Sequence, residues 1–188
     1  MRPRSRHLLN RDDTVILAID LQEPFLRSIY ERERLVDRCR VLISAACLLD
    51  VPVVLTTQFA ERMGTIIPEI SSILPEKYRD PIDKLIFSAA GSQALTDRLA
   101  QLKREQIVLC GVETHICVQQ SALDLTHLEY SVHYAADAVS SRTQFSHELG
   151  RHKMDQCSVL ANSAEGIIME LLYEAGTPAF KNVLRLIK

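Results

Sequence analysis

The sequence predicts an α/β fold: three αβα layers built on a six-stranded, mostly parallel sheet. Three observations predict it. Short runs that are apolar almost throughout recur along the chain, as strands buried on both faces of a parallel sheet require. Stretches with apolar residues at i, i+4 and i+7 separate them, the mark of helices lying on a sheet. The 188 residues are 47% hydrophobic and have no obvious internal break, which suits one domain, residues 1–188, around a single core.

The elements follow in order. Thr14-Val-Ile-Leu-Ala-Ile-Asp20 is an apolar run ending at a carboxylate, and reads as the first strand. Leu35, Cys39, Leu42, Ala46 and Leu49 form the inner stripe of a helix that Asp50 and Pro52 end. Val53-Val-Leu-Thr56 is the second strand. From Gln58 to Asp83 no period holds, and Gly64, Pro68, Pro75 and Pro81 interrupt the chain. A stretch this long is expected to be a lid or binding loop with short helical turns. Lys84-Leu-Ile-Phe87 reads as the third strand, opening with its lysine, and Ser92 as the cap of a helix carrying Leu95, Leu99 and Leu102. Gln106 to Gly111 is the fourth strand, followed by a helix from near Thr114 to His127. Ser131 to Ala135 is the fifth strand, ending near Asp137. Ser140 or Ser141 caps a helix with Phe145, Leu149 and Met154. Ser158 to Ala161 is the sixth strand. Two helices close the chain, one with Ile167, Ile168, Leu171 and Leu172, the other with Val183, Leu184 and Ile187.

Composition narrows the function classes. The 22 basic residues against a formal charge of −2 leave no nucleic-acid footprint. The local concentration of Arg2, Arg4, Arg6 and His7 reads as part of a flexible tail, residues 1–12. No run has the length of a membrane span, and the start lacks a secretory core, so a cytoplasmic protein is expected, with import into an organelle left open. Five cysteines without C-x-x-C spacing fit reduced thiols better than a disulfide framework.

In parallel sheets the site forms at the carboxyl ends of the strands. Asp20 ends the first strand there, and Cys117 follows the fourth within the first turn of its helix. Free N–H groups and the positive helix end favour an anion at such a position. They are expected to lower the thiol's pKa and to stabilise an oxyanion. Thr114 as a cap would compete for the Cys117 N–H. On this local pattern Cys117 reads equally as a nucleophile or as a small core residue like Cys110. Taken singly, Asp20 also reads as a strand-end cap, and Lys84 as a solvated lysine. Cys39 and Cys47 read as structural, and Cys157 is given no role.

Five segments in order carry a resemblance: Ile19-Asp20-Leu-Gln22, Asp83-Lys84-x-x-Phe87-Ser88, Gly111-Val-Glu-Thr-His-Ile-Cys117-Val, Ser121-Ala122-x-Asp124, and Ala136-Asp137-Ala138-x-Ser140-Ser141. From about Thr14 to about Gly166 the chain resembles the isochorismatase-like cysteine hydrolase superfamily. Met63-Gly64-x-x-x-Pro68-Glu69 and Pro178-x-Phe180-Lys181 are similar to the ISOC-domain-containing group in particular.

The resemblance implies a Rossmann-like isochorismatase-like hydrolase fold and a cysteine hydrolase that opens a C–N bond of an amide or imide through a thioester. Cys117 would be the nucleophile. Asp20 would take the thiol proton, give it to the leaving amine and then activate water. Lys84 would hold both by charge. A cis peptide before the threonine segment, here Val112–Glu113, would bring the N–H of Glu113 beside that of Cys117 in an oxyanion hole. Gln22, Phe25, Gln58 and Phe87 are candidate pocket residues, although the two aromatics read more readily as ordinary core residues. A homo-oligomer, dimer or tetramer, is implied as well.

Two departures bear on the reaction. Nicotinamidases of the superfamily hold a metal with an Asp and two His after the second strand, but Thr56-Thr-Gln-Phe-Ala-Glu-Arg-Met contains no histidine. No metal and no cofactor are therefore expected. Isochorismatases proper need no thiol, so Cys117 points to other chemistry. The competing readings are a non-catalytic oligomeric binding or scaffold protein on the same fold, and a redox-sensing thiol.

Overall fold

The computed structural model describes residues 4–187. All six strands are parallel, in the order β3-β2-β1-β4-β5-β6. They are β1 (Thr14–Ile19), β2 (Val53–Gln58), β3 (Ile82–Lys84), β4 (Gln106–Val112), β5 (Ser131–Ser140) and β6 (Leu160–Asn162). The order reverses between β1 and β4, which makes their carboxyl ends the switch point where such sheets bind ligands.

Alternation along β1 divides the core. Ile16 and Ala18 face one layer, with α2 (Arg32–Leu48), α8 (Ala164–Leu172) and α9 (Pro178–Ile187). Val15, Leu17 and Ile19 face the other, with α5 (Gln93–Leu102), α6 (Gln119–His127) and α7 (Gln144–Gln156). Every residue of β1 and β4 is buried, as expected of inner strands covered on both faces. Four-residue helices at Glu23–Leu26 (α1), Ala60–Met63 (α3) and Pro68–Ser71 (α4), with a 3₁₀ turn at Glu76–Tyr78, structure the loops on the carboxyl side of β1 and β2.

Several elements differ from expectation. Lys84 ends β3 rather than opening it, and Leu85, Ile86 and Phe87 lie beyond it with 69%, 46% and 55% exposure. Only Ile82, Asp83 and Lys84 pair with β2 at this sheet edge, so apolar content misplaced the strand. β5 continues to Ser140 because an irregularity between Leu109 and Gly111 lets pairing resume at Val139 and Ser140. β6 starts two residues later than expected, at Leu160. Thr143, not Ser140 or Ser141, caps α7, accepting the Ser146 N–H. Ser92 occupies the N-cap position of α5 without a side-chain bond.

Of the segment expected as a tail, the described part packs on the domain. Leu9 is fully buried and its N–H donates to Glu170, while the Arg4 guanidinium donates to the Leu9 and Glu170 carbonyls. Met1, Arg2 and Pro3 lie outside the described residues.

Candidate active site

Asp20 leaves β1 in the left-handed region, at φ 51°, a conformation aspartate tolerates better than most residues. Its side chain then reaches across to β2 and β3. Oδ1 accepts from Thr56 Oγ1 at 2.8 Å and Oδ2 from Lys84 Nζ at 2.7 Å. The ammonium also donates to Gln58 Oε1 at 2.7 Å. Both charged side chains are almost wholly buried, 2% exposed for Asp20 and 0% for Lys84. Burial without a partner would cost either group several kcal/mol, roughly, so each holds the other in place.

Gly111 permits the approach of β4 to this carboxylate. Its φ is +110°, and a Cβ there would stand 2.1 Å from the Ile19 carbonyl oxygen. The Val112–Glu113 peptide that follows is cis. The chain then turns through Thr114–Val118 as a π-helical turn rather than the regular helix start expected. The Glu113 carbonyl accepts from the N–H of Ile116 at 3.0 Å and of Val118 at 3.1 Å. The acceptor that Cys117 would use in a regular α-turn thus bonds its neighbours instead.

Three contacts strap this turn. Thr114 does not cap: its Oγ1 meets His147 Nδ1 of α7 at 3.0 Å. Ser141 Oγ lies 2.9 Å from His115 Nδ1, which holds that half-buried histidine to the segment just after β5. Glu113 turns its carboxylate outward to the N–H and guanidinium of Arg142. On the far side, Ser121 Oγ donates to the Cys117 carbonyl at 2.6 Å and accepts the Ala89 N–H at 2.8 Å, joining the cysteine turn to the segment after Lys84.

Cys117 is 7% exposed and sits in a small cavity of about 60 Å³ with Asp20, Phe25, Gln58, Phe87, Val112, Glu113 and Ile116. The candidates Asp20, Phe25, Gln58, Phe87, Glu113 and Cys117 therefore converge, with Lys84 just behind Asp20. Gln22 does not line the cavity. It is fully buried, accepts the Gln58 N–H at 2.7 Å and donates to the Gly64 carbonyl at 2.6 Å, tying the loop after β2 to β1.

The thiol differs from expectation. Burial pushes Cys117 up to about 12; Asp20 adds to the shift, and Lys84 opposes it. At neutral pH it is a thiol. Desolvation outweighs the helix end, a contribution that local spacing does not reveal. Thr56, Ser121, Ser141 and His147 also build the site. Of these, Ser121 and Ser141 lie in the segments that carry the resemblance and Thr56 ends the predicted second strand, while His147 has no signal in the sequence.

The isochorismatase domain model matches residues 14–165. The chain belongs to the isochorismatase domain family. It is 36% identical over 179 residues to the secreted isochorismatase effector Isc1 of Phytophthora sojae, covering 93% of this chain and 84% of that protein. It is 34% identical over 178 residues to isochorismatase domain-containing protein 2A of Mus musculus, covering 94% and 84%. Among solved structures, the MAR1 ribonuclease of Caenorhabditis elegans superposes with a TM-score of 0.89 at 31% identity, covering 96% of this chain and 92% of that one. This isochorismatase-family chain thus has the three-layer isochorismatase-like α/β fold of its relatives. Among its described residues, no helix is long and apolar enough to cross a membrane, and no three His, Cys, Asp or Glu side chains cluster as metal ligands.

Proposed function

We propose that this protein is a cysteine hydrolase that opens the C–N bond of a small amide through a thioester on Cys117. One observation carries the reading: the nearly buried Cys117 thiol shares a small cavity with the Asp20 carboxylate, which Lys84 fixes from behind.

Cys117 Sγ bonds to the acyl carbon as its proton passes to Asp20. The oxyanion is received by the N–H groups of Glu113 and Cys117. The C–N bond then breaks, and the amine departs with the proton from Asp20. Water adds to the thioester, giving a proton to Asp20. The C–S bond breaks, the acid leaves and the thiol regains its proton. A thiol held near a pKa of about 12 fits this order, because deprotonation accompanies attack rather than preceding it. The proton needs an acceptor in contact, and Asp20 is that group.

The Caenorhabditis elegans relative is named a ribonuclease. Here Lys84 is engaged by Asp20 and Gln58, and no arginine lines the cavity, so a phosphodiester has no cation to meet. The five free cysteines fit a reducing, cytoplasmic setting. A homo-oligomer is part of the same reading, and light scattering giving a mass of 21.2 kDa would contradict it.

The test is ammonia release from a panel of small carboxamides, with an RNA substrate alongside. Amide turnover that falls at least about 10³-fold in Cys117→Ala supports the reading. RNA cleavage that survives this substitution, with no amide turned over, contradicts it.

A further inference from the structure

The geometry points to a substrate class: a small amide whose acyl group is uncharged and apolar, with no carboxylate or phosphate on its acyl chain. This class rests on the hydrolase reading above, and it follows from accounting for each polar group in the cavity wall.

Eight residues line the cavity, and four of them, Phe25, Phe87, Val112 and Ile116, have no polar side-chain atom. Each of the others is already engaged. Asp20 is bonded by Thr56 and Lys84. Gln58 accepts from Lys84 through Oε1 and donates to the Leu85 carbonyl through Nε2 at 2.8 Å. Glu113 sends its carboxylate to Arg142. Cys117 is reserved for the reacting carbon. Of the two cations near the wall among the described residues, Lys84 is buried behind Asp20 with both acceptors at 2.7 Å, and Arg142 is taken by the Glu113 carboxylate at 3.0 Å.

A substrate carboxylate would therefore lose its water beside Asp20 and gain no cation. An unpaired buried charge is strongly disfavoured, the more so beside a like charge. An apolar acyl chain meets aromatic and aliphatic walls on equal terms. The volume of about 60 Å³ seats a short chain, and a longer one must run out into water past Phe87. Phe87, 55% exposed at the mouth, is the position from which selectivity is set.

The test uses a matched pair. Butyramide and succinamate have nearly the same length and differ by a methyl against a carboxylate. Purified full-length protein is assayed for ammonia release with each, and with octanamide for size. In a separate arm, p-nitrophenyl butyrate reports by mass spectrometry whether Cys117 can be acylated. The class predicts kcat/KM for butyramide at least about 100-fold above succinamate, with octanamide also poor. Phe87→Arg is expected to raise the succinamate-to-butyramide ratio at least about tenfold. Succinamate turned over as well as butyramide by the unaltered protein, dependent on Cys117, overturns the class and leaves the hydrolase reading standing. Octanamide turned over as fast as butyramide overturns the size limit. No turnover of either amide and no acylation of Cys117 overturns both.

Discussion

Lys84 Nζ lies 2.7 Å from Asp20 Oδ2, and the two side chains meet where water does not reach. The pair spans the sheet from the end of β3 to the end of β1, with Gln58 and Thr56 of β2 completing it. A buried pair of this kind is weak evidence for stability, but removing one partner strands the other. Lys84→Met and Asp20→Asn are each expected to lower unfolding free energy by about 3 to 5 kcal/mol. The double variant is expected to recover much of that loss. Urea midpoints of the four proteins, read as a double-mutant cycle, check this. Additive losses would mean that the pair is not coupled.

Cys117 and Cys157 are expected to differ in reactivity. Cys157 is exposed, while burial holds the Cys117 thiol at about 12. Iodoacetamide at pH 8, followed by peptide mapping, should label Cys157 well before Cys117. Lys84 favours the thiolate, so Lys84→Met should slow Cys117 labelling further. Faster labelling of Cys117 than of Cys157 at that pH would show that the helix end, not burial, governs the thiol.

The turn carrying Cys117 rests on two glycines. A Cβ on Gly111 would meet the Ile19 backbone at 2.1 Å, so Gly111→Ala is expected to yield no folded protein. Gly150 of α7 is a milder case, since its Cβ would stand 2.8 Å from His115 Cα, on the π-helical turn. Gly150→Ala should cost about 1 to 3 kcal/mol of stability. It should also lower kcat/KM by at least about tenfold, because the turn must shift. Unchanged kinetics in a folded Gly150→Ala protein would show that the turn's position is not critical.

Two buried histidines predict acid sensitivity. Burial holds both His133 and His147 down to about 4, with Arg151 and Arg34 adding to the shift at His147. Between about 6.5 and about 4 the unfolded chain binds protons that the folded chain does not. The stability held by the neutral rings is therefore complete above 6.5 and is lost as pH falls toward 4. Urea midpoints should decline over that window, and His133→Gln should flatten the decline. A midpoint constant from pH 7 to pH 4.5 would contradict the assignment.

How far the sequence could be read follows burial. β1 and β4 were legible because strands buried on both faces leave continuous apolar runs, and their ends brought Asp20 and Cys117 to the same edge. β3 was not, because only three residues pair there and the apolar run Leu85–Phe87 lies beyond the sheet, with Phe87 lining the cavity. Gln22, a candidate pocket residue in the sequence, does not line the cavity. Its role in holding Gly64 and Gln58 depends on a loop closure between distant positions. The strapping of Thr114 by His147 joins residues 33 apart, beyond any local pattern. The thiol's upward shift likewise comes from tertiary burial.

The central claim is that Cys117 is the nucleophile, and rapid-quench mass spectrometry with p-nitrophenyl butyrate tests it most directly. The account predicts one butyryl group on Cys117 that forms and then decays with turnover, absent in Cys117→Ala. Label confined to Cys157, with ester hydrolysis unchanged in Cys117→Ala, would contradict it.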